Sequence, residues 1–518
     1  MAEYLLAHDL GTSGNKATLF DINGTLVKSV VASYRLYTDG NRSEQDPEDW
    51  WRAVCDSTRE LLDGIDPGSV LAVSFSGQMM GCVCVDRNGE PLRRAIIWAD
   101  MRSGRQADRI RERIGEKEYY QLTGHRISSS YSSTKLMWVK DEEPDVYRNT
   151  YKMLNAKDYV ILKLTGRFVT EPSDASSTCL LNLKTQAFSD TLFEMCGLSM
   201  DKMPELLRSI DVAGKVTREA SVQCGLREGT PVVCGGGDGV CAAIGTGAVR
   251  PGIANCCLGT SSWISFASEK PVYAPDMSTF QFAHIVPGMI MPCGTMQSGG
   301  GALSWAVNCF CDKSLLSSDY HDKKGLYDQI CELVSRSSPG AKGMLFLPYL
   351  MGERSPRWND KAKGCFIGLT TEHTLGDIFR SVMEGVAMNL SVILDAFRNG
   401  NGRIDQLVLI GGGARNVVWR QILSDVLNVR IKVPNYLEEA TSMGAAITAG
   451  VGVGVFHDFS VIDRFLKTES EYYPAQENRS LYERLREVFD RSYEDLIPIF
   501  GELHDLSARH CSAGKVCK

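Results

Sequence analysis

The residues with the clearest chemical potential lie near the start of the chain, where an apolar run delivers Asp9 into the loop Gly11-Thr12-Ser13-Gly14. Small residues let a backbone approach a phosphate closely, and successive N–H groups can bind the anion. A carboxylate would repel a phosphate, so Asp9 suits this place if a Mg²⁺ ion lies between the two. The pattern predicts a β-hairpin whose tip holds a metal-bound phosphate, although the same residues also suit an ordinary turn.

A second candidate carboxylate, Asp238, is flanked by glycines at the end of the strand-like run 231–234. Because its neighbours carry almost no side chain, something bulky can approach it. A carboxylate within reach of a substrate hydroxyl can act as a general base. A helix N-cap is the plainer interpretation of Asp238, and that role is compatible with catalysis.

Residues that suit a sugar follow another strand-like run, 70–75. Gln78 offers both a hydrogen-bond donor and an acceptor to a polyol. The next two residues, Met79 and Met80, suit a hydrophobic core as well as a pocket wall. Trp98 and Asp100 belong either to a structural turn with a salt bridge or to an aromatic plate beside hydrogen-bonding groups.

Four glycine-rich turns each follow an apolar run, at residues 11–14, 235–239, 259–262 and 411–414. Strand-ending loops are where the ligand sites of α/β proteins gather. The segment 255–266 echoes the first hairpin, which indicates two related domains that face one nucleotide. The chain has neither a GxxxxGK[ST] loop nor the set of protein-kinase motifs, so a nucleotide must be held in another way.

Composition agrees with a large globular α/β protein. The 518 residues are too many for one core and natural for two domains. The formal net charge is −7, and the basic residues are dispersed, which argues against a nucleic-acid surface. No apolar stretch approaches the length of a membrane span. The 17 cysteines form no CxxC pair, which favours reduced, buried thiols in a cytoplasmic protein. Asp46 followed by Pro47 predicts the start of a helix.

Two long stretches carry a resemblance to a known family. They are SSYSSTKLMWVKDE from Ser129 and GCFIGLTTEHTLGDIFRSVME from Gly364. In these, and in shorter motifs from residue 4 to about residue 454, the chain resembles the FGGY carbohydrate kinases, and among them the xylulokinases. The resemblance implies an α/β fold of two actin-like, ribonuclease-H-type domains that flank a deep catalytic cleft. Residues 1–248 would form the sugar-binding domain with the catalytic base, and residues 249–518 the ATP-binding domain with a C-terminal helical tail.

Carried over residue by residue, the resemblance implies roles for the motifs. The catalytic residues would be Asp238, the base, and Asp9, which would organise Mg²⁺. The residues expected to hold ATP are Gly11, Thr12, Ser13, Gly259, Thr260, Ser261, Gly300, Gly411, Gly412, Gly413, Ala414 and Asn416. The residues expected to border the sugar are Gln78, Met79, Met80, Trp98, Asp100 and Asp238.

The expected activity is ATP-dependent phosphorylation of a terminal hydroxyl, with D-xylulose as the first candidate substrate. Xylulokinases usually have histidine at the position of Met80 and asparagine at the position of Gly239, so another ketose or a polyol (ribulose, xylitol or erythritol) is the second. An alternative of another class is an actin- or Hsp70-like ATPase, or a sugar-sensing binder without kinase activity. The expected partner is a small sugar, with a possible homodimer and neither nucleic acid nor membrane.

Overall fold

Two large sheets with the same strand order organise the structure, a computed structural model that describes residues 2–311 and 320–513. In each sheet, three neighbouring strands pair antiparallel, and two further strands lie on the other side of the first of them, parallel to it. The order in the first sheet is Val212–Lys215, Pro231–Val233, Val70–Gly77, Tyr4–Leu10, Gly14–Asp21 and Leu26–Ser33, with Gly236–Gly237 beside Val70–Gly77. The order in the second is Phe280–Ala283, Ile290–Met296, Ser262–Phe266, Gly252–Leu258, Ile404–Ile410, Arg430–Pro434 and Thr468–Tyr472.

This duplication confirms the predicted pair of actin-like, ribonuclease-H-type domains. The burial of each strand follows its place in the sheet. Val70–Gly77 lies between two parallel neighbours and is apolar and buried along most of its length, as expected for a strand covered on both faces. Leu26–Ser33 forms an edge and alternates between more and less exposed residues. Smaller sheets complete the β structure. One has three strands, Tyr37–Asp39, Arg42–Gln45 and Ala95–Ile96. The others have two strands each: Val83–Val85 and Lys152–Leu154; Val169–Thr170 and Glu205–Leu206; Leu181–Asn182 and Ala187–Phe188; and Leu345–Leu347 and Cys365–Ile367.

Helices cover both sheets. The predicted helix start is confirmed, because the Asp46 side chain accepts a hydrogen bond from the Glu48 N–H and the helix begins at Pro47. No helix in the described parts of the chain is long and apolar enough to cross a membrane. The α-helices are Pro47–Leu61, Gly104–Ile114, Glu116–Thr123, Ser132–Glu142, Pro144–Asn149, Ala156–Thr165, Pro172–Ser177, Asp190–Cys196, Arg218–Cys224, Asp238–Gly245, Gly300–Phe310, Tyr320–Arg336, Leu375–Asn399, Val417–Leu427, Ala440–Gly452, Ile462–Phe465 and Arg479–Ala513.

The helix Ala440–Gly452 comes from the second half of the chain but packs on the first sheet, where its apolar residues join the core with Leu5 and Ala72. It therefore ties the two halves together. We keep the boundary between residues 248 and 249 as a proposal for the chain segments, with this helix shared between the two bodies. The C-terminal helix packs against the second domain through residues such as Tyr482 and Phe489.

The helices Asp238–Gly245 and Ala440–Gly452 cross at two glycines. A Cβ built on Gly245 would overlap the backbone of Ala440, and a Cβ on Gly444 would overlap the backbone of Cys241. Only glycine allows the two backbones to approach so closely. Since Asp238 is the first residue of one of these helices, the crossing also sets where Asp238 lies.

We therefore expect Gly444→Ala to lower the free energy of unfolding by about 1–3 kcal/mol, because overpacking forces the helices apart. The matched control is Gly501→Ala, a helical glycine with open space around its Cβ position, which should gain up to about 1 kcal/mol from better helix propensity. Thermal unfolding followed by circular dichroism measures both. Two variants that shift the midpoint in the same direction would contradict the tight crossing.

Candidate active site

The first hairpin places Asp9 at the edge of the first sheet where its parallel strands end. Asp9 pairs with Ser76 in the neighbouring parallel strand, and the Ser76 hydroxyl donates to Asp9 Oδ1 at 2.8 Å. At the tip, the Gly11 N–H donates to the Gly14 carbonyl at 3.0 Å. A Cβ on Gly11 would meet only the Gly14 oxygen, at 3.5 Å, so space remains beside the tip. Burial raises the pKa of Asp9, and Ser76 and Lys16 oppose that rise.

The turn that carries Asp238 lies on the other side of Ser76 from Asp9. Gly236 pairs with Ser76 in parallel register, and Asp238 follows two residues later as the first residue of its helix. Adjacent strands are about 5 Å apart, so the turn that carries Asp238 lies about 10 Å from Asp9. The turn depends on Gly235, whose φ is +73° and whose Cβ would overlap the backbone of Phe75.

The environment of Asp238 suits a proton acceptor near neutral pH. Asp238 is exposed to solvent, and the surrounding protein still desolvates its carboxyl group in part. Burial, and then the negative charge of Asp9, raise the pKa of Asp238 to about 7, while the backbone N–H groups of Gly239 and Asp238 oppose that rise. The Gly239 N–H donates to Asp238 Oδ1 at 2.7 Å. The carboxylate is therefore half-protonated near pH 7 and a base above it.

The second hairpin and the helix after it form one unit. The N–H groups of Gly299 and Gly301 donate to the Thr260 carbonyl at 2.9 and 3.0 Å, and the Gly300 N–H donates to the Gly259 carbonyl at 2.7 Å. The Gly300 amide is thus already used inside the protein. Thr260 is exposed on this unit, and Ser261 is half-exposed.

In the turn 411–414, the space beside Gly412 is open. Gly412 is exposed, with no atom within 4 Å of its Cβ position. Around it, Gly411 has φ +90°, a Cβ on Gly413 would overlap Leu258, and Ala414 is fully buried. Asn416 caps the next helix, because its Oδ1 accepts from the Trp419 N–H at 3.0 Å. A contact between Asn416 and ATP would therefore use its Nδ2 group, which has no hydrogen-bond partner.

On the predicted sugar side, Gln78 and Trp98 are tied to the first hairpin. The Gln78 side-chain amide donates to Gln45 Oε1 at 2.7 Å, and Gln78 Oε1 is buried without a donor. The Trp98 indole N–H donates to Thr12 Oγ1 at 2.9 Å. The geometry thus brings two of the predicted sugar-side residues, Gln78 and Trp98, to the predicted phosphate loop.

Two other predicted sugar contacts face inward. Asp100 is fully buried, and its oxygens accept from the Ser43 N–H at 2.6 Å and from the Arg102 guanidinium at 2.7 Å. These contacts fit the structural turn that the sequence left open, and the place of Asp100 beside the sugar stays a prediction. Met79 is buried too, and its side chain fills the space beside Gly237.

Met80 has the backbone geometry of a constrained site. Its φ is +63°, which is uncommon for a residue with a long side chain. Its N–H donates to Ser177 Oγ at 3.0 Å, and its carbonyl accepts from Lys135 Nζ at 2.7 Å. Sequence reasoning missed Lys135, which is fully buried and whose pKa burial lowers to about 7. The signal available was a lysine between the apolar residues of the first family-like stretch.

Comparison with known protein families shows to which family the chain belongs. Residues 4–245 match the FGGY family of carbohydrate kinases, N-terminal domain, and residues 254–453 match the C-terminal domain of that family. The chain belongs to the FGGY family of carbohydrate kinases. Membership confirms the predicted family and kinase class over the alternatives of an ATPase or a sugar-sensing binder.

Relatives of this FGGY kinase cover nearly its full length. The xylulose kinase of Staphylococcus epidermidis is 33% identical over 505 residues, which are 97% of this chain and 98% of that protein. The gluconokinase of Bacillus subtilis is 30% identical over 497 residues, 94% of this chain and 95% of that protein. The crystal structure of the ligand-bound xylulose kinase from Lactobacillus acidophilus matches with a TM-score of 0.89 at 26% identity, over 97% of this chain and 100% of that one.

Proposed function

We propose that this kinase transfers the γ-phosphoryl group of ATP to a terminal hydroxyl of D-xylulose, with Asp238 as the general base. The observation that supports this most is the place of Asp238, at a glycine turn, on the far side of Ser76 from Asp9, with a pKa of about 7. The relatives named xylulose kinase support the sugar.

The reaction needs one proton acceptor and close positioning. Asp238 accepts the proton of the sugar hydroxyl, the hydroxyl oxygen forms a bond to the γ-phosphorus of ATP, and the bond to ADP breaks. The products are the sugar phosphate and ADP, and Asp238 releases the proton to solvent. Positioning and charge stabilisation carry most of the catalysis in phosphoryl transfer. Closure of the two domains would exclude water and limit wasteful ATP hydrolysis.

The residues present fit an ATP–Mg²⁺ complex. Mg²⁺ usually takes one or two protein carboxylates and completes its shell with water and phosphate oxygens. No group of three or more His, Cys, Asp or Glu side chains in the described regions is arranged to hold a metal, so Asp9 with the phosphates is the natural ligand set. When bound, Mg²⁺ would neutralise charge on the phosphates. Thr12 and Thr260 would lie near the phosphates, and the gap at Gly412 would receive the adenosine.

A second candidate substrate is a sugar acid such as gluconate. Relatives named gluconokinase match nearly the whole chain at about the same identity. Burial raises the pKa of the Cys293 thiol to about 12, Arg354 opposes this rise, and Asp238 adds to it. Arg354 and Asp238 therefore both lie close enough to this buried thiol to affect it electrostatically. The substrate assay therefore has to include both classes.

The first test is ADP release over a panel of pentuloses, hexuloses, polyols and gluconate. D-Xylulose should give the highest kcat/KM, and Asp238→Asn should lower kcat at least about 100-fold with little change in ATP binding, since general bases contribute about 10²–10⁴. The matched control is Asp21→Asn, at the other end of the same hairpin, whose Oδ1 only caps a turn. Parent-like turnover in Asp238→Asn would rule out Asp238 as the base. A preference for gluconate would replace D-xylulose as the proposed substrate.

The second test concerns the two positions that differ from the usual xylulokinase residues. Histidine tolerates positive φ better than most residues, and a Cβ on Gly239 would meet only Met291, at 3.7 Å, so Met80→His with Gly239→Asn should fold. Each new hydrogen bond to a hydroxyl is worth about 1 kcal/mol. We expect the kcat/KM ratio of D-xylulose to xylitol to rise about tenfold, and the single variants are the controls. An unchanged ratio would show that these residues do not set the preference.

A further inference from the structure

A buried charged cluster lies behind the two strand ends that carry the proposed site. It consists of Lys157, Asp158, Glu171 and Asp174, each at most 1% exposed. Lys157 Nζ lies 2.8 Å from Asp158, 3.4 Å from Glu171 and 3.1 Å from Asp174. Three carboxylates around one ammonium group, out of contact with water, are weak evidence for a stabilising role, because burial of charges costs more than their pairing returns in many proteins.

Glu171 is held by four hydrogen bonds. Its carboxylate accepts from the N–H groups of Ser173 and Asp174, both at 2.9 Å, and from the hydroxyls of Ser173 and Ser209, both at 2.6 Å. A carboxylate with so many donors has one orientation. It therefore fixes the Ser173 hydroxyl hydrogen and leaves a lone pair of that oxygen free for another donor.

That donor is the Gly237 N–H, which lies 2.9 Å from Ser173 Oγ. Gly237 directly precedes Asp238, and the turn around it is tightly packed. A Cβ on Gly237 would overlap the Met79 side chain, and a Cβ on Gly77 would lie 3.1 Å from Lys157 Cβ. The cluster thus backs both the turn of Asp238 and the strand end that leads to Met79.

We propose that Ser173, oriented by Glu171, is a positioning residue for Asp238, which it holds in line with the sugar hydroxyl through the Gly237 amide. This inference rests on the proposed role of Asp238 as the base. Loss of the bond would let the turn relax while the rest of the sheet and the ligand pockets stay in place. A displacement of about 1 Å can lower the rate about 100-fold.

The test compares Ser173→Ala with Ser209→Ala in the full-length enzyme. Both serines are buried and both donate to Glu171, but only Ser173 also contacts Gly237. We expect Ser173→Ala to lower kcat about 10- to 100-fold at pH 8.5 with the KM values for sugar and ATP within about threefold of the parent. Ser209→Ala should keep kcat within about threefold, with a similar thermal midpoint. A merely structural role would move the midpoints or the KM values instead.

Asp238→Asn is measured in parallel, so that the two claims can fail separately. If Asp238→Asn is inactive and Ser173→Ala has parent-like kcat, the positioning role is overturned and the base remains. Equal losses of kcat in the two serine variants also overturn it. If Asp238→Asn keeps parent-like turnover, both claims fall. Should Ser173→Ala not fold, Ser173→Cys places a weaker acceptor at the same point, and parent-like kcat in that variant contradicts the proposal.

Discussion

The strand of Asp9 and the short strand that leads into Asp238 flank Ser76 on opposite sides, and the rest of the site depends on this arrangement. Asp9 is half-buried and Asp238 is exposed to solvent, and partial desolvation by the surrounding protein raises the pKa of both. The negative charge of Asp9 raises the pKa of Asp238 further. One carboxylate is thereby suited to hold a cation and the other to accept a proton, which are the two roles that phosphoryl transfer to a hydroxyl requires.

The fold supports this arrangement with elements from both halves of the chain. Two helices meet backbone to backbone at Gly245 and Gly444, and one of them begins with Asp238. A helix from the second half of the chain therefore supports the sheet that carries both carboxylates. In the proposed account, closure of the second domain delivers ATP to a base that is already fixed from behind by Ser173 and Glu171.

Local patterns predicted much of this from the sequence. The hairpin at Asp9, the helix start at Asp46-Pro47 and the glycine turn at Asp238 are signalled by adjacent residues, and the structure forms each of them. Side-chain direction is not a local property. Asp100 turns inward and accepts from the N–H of Ser43, 57 residues away, and Lys135 reaches the Met80 carbonyl from 55 residues away. The Glu171–Ser173 pair and its contact to Gly237 join segments that nothing in the sequence links. The homodimer stays a prediction.

The site depends on the pKa of Asp238, which burial and then the charge of Asp9 raise to about 7. The most direct measurement is the pH titration of the Asp238 carboxyl carbon by NMR, in ligand-free protein with ¹³C-labelled aspartate, assigned by difference against Asp238→Asn. We expect a midpoint near 7 that moves to lower pH in Asp9→Asn, because a neighbouring negative charge is removed. A midpoint near 4, the value of an ordinary aspartate, or one that does not respond to Asp9→Asn, would contradict it.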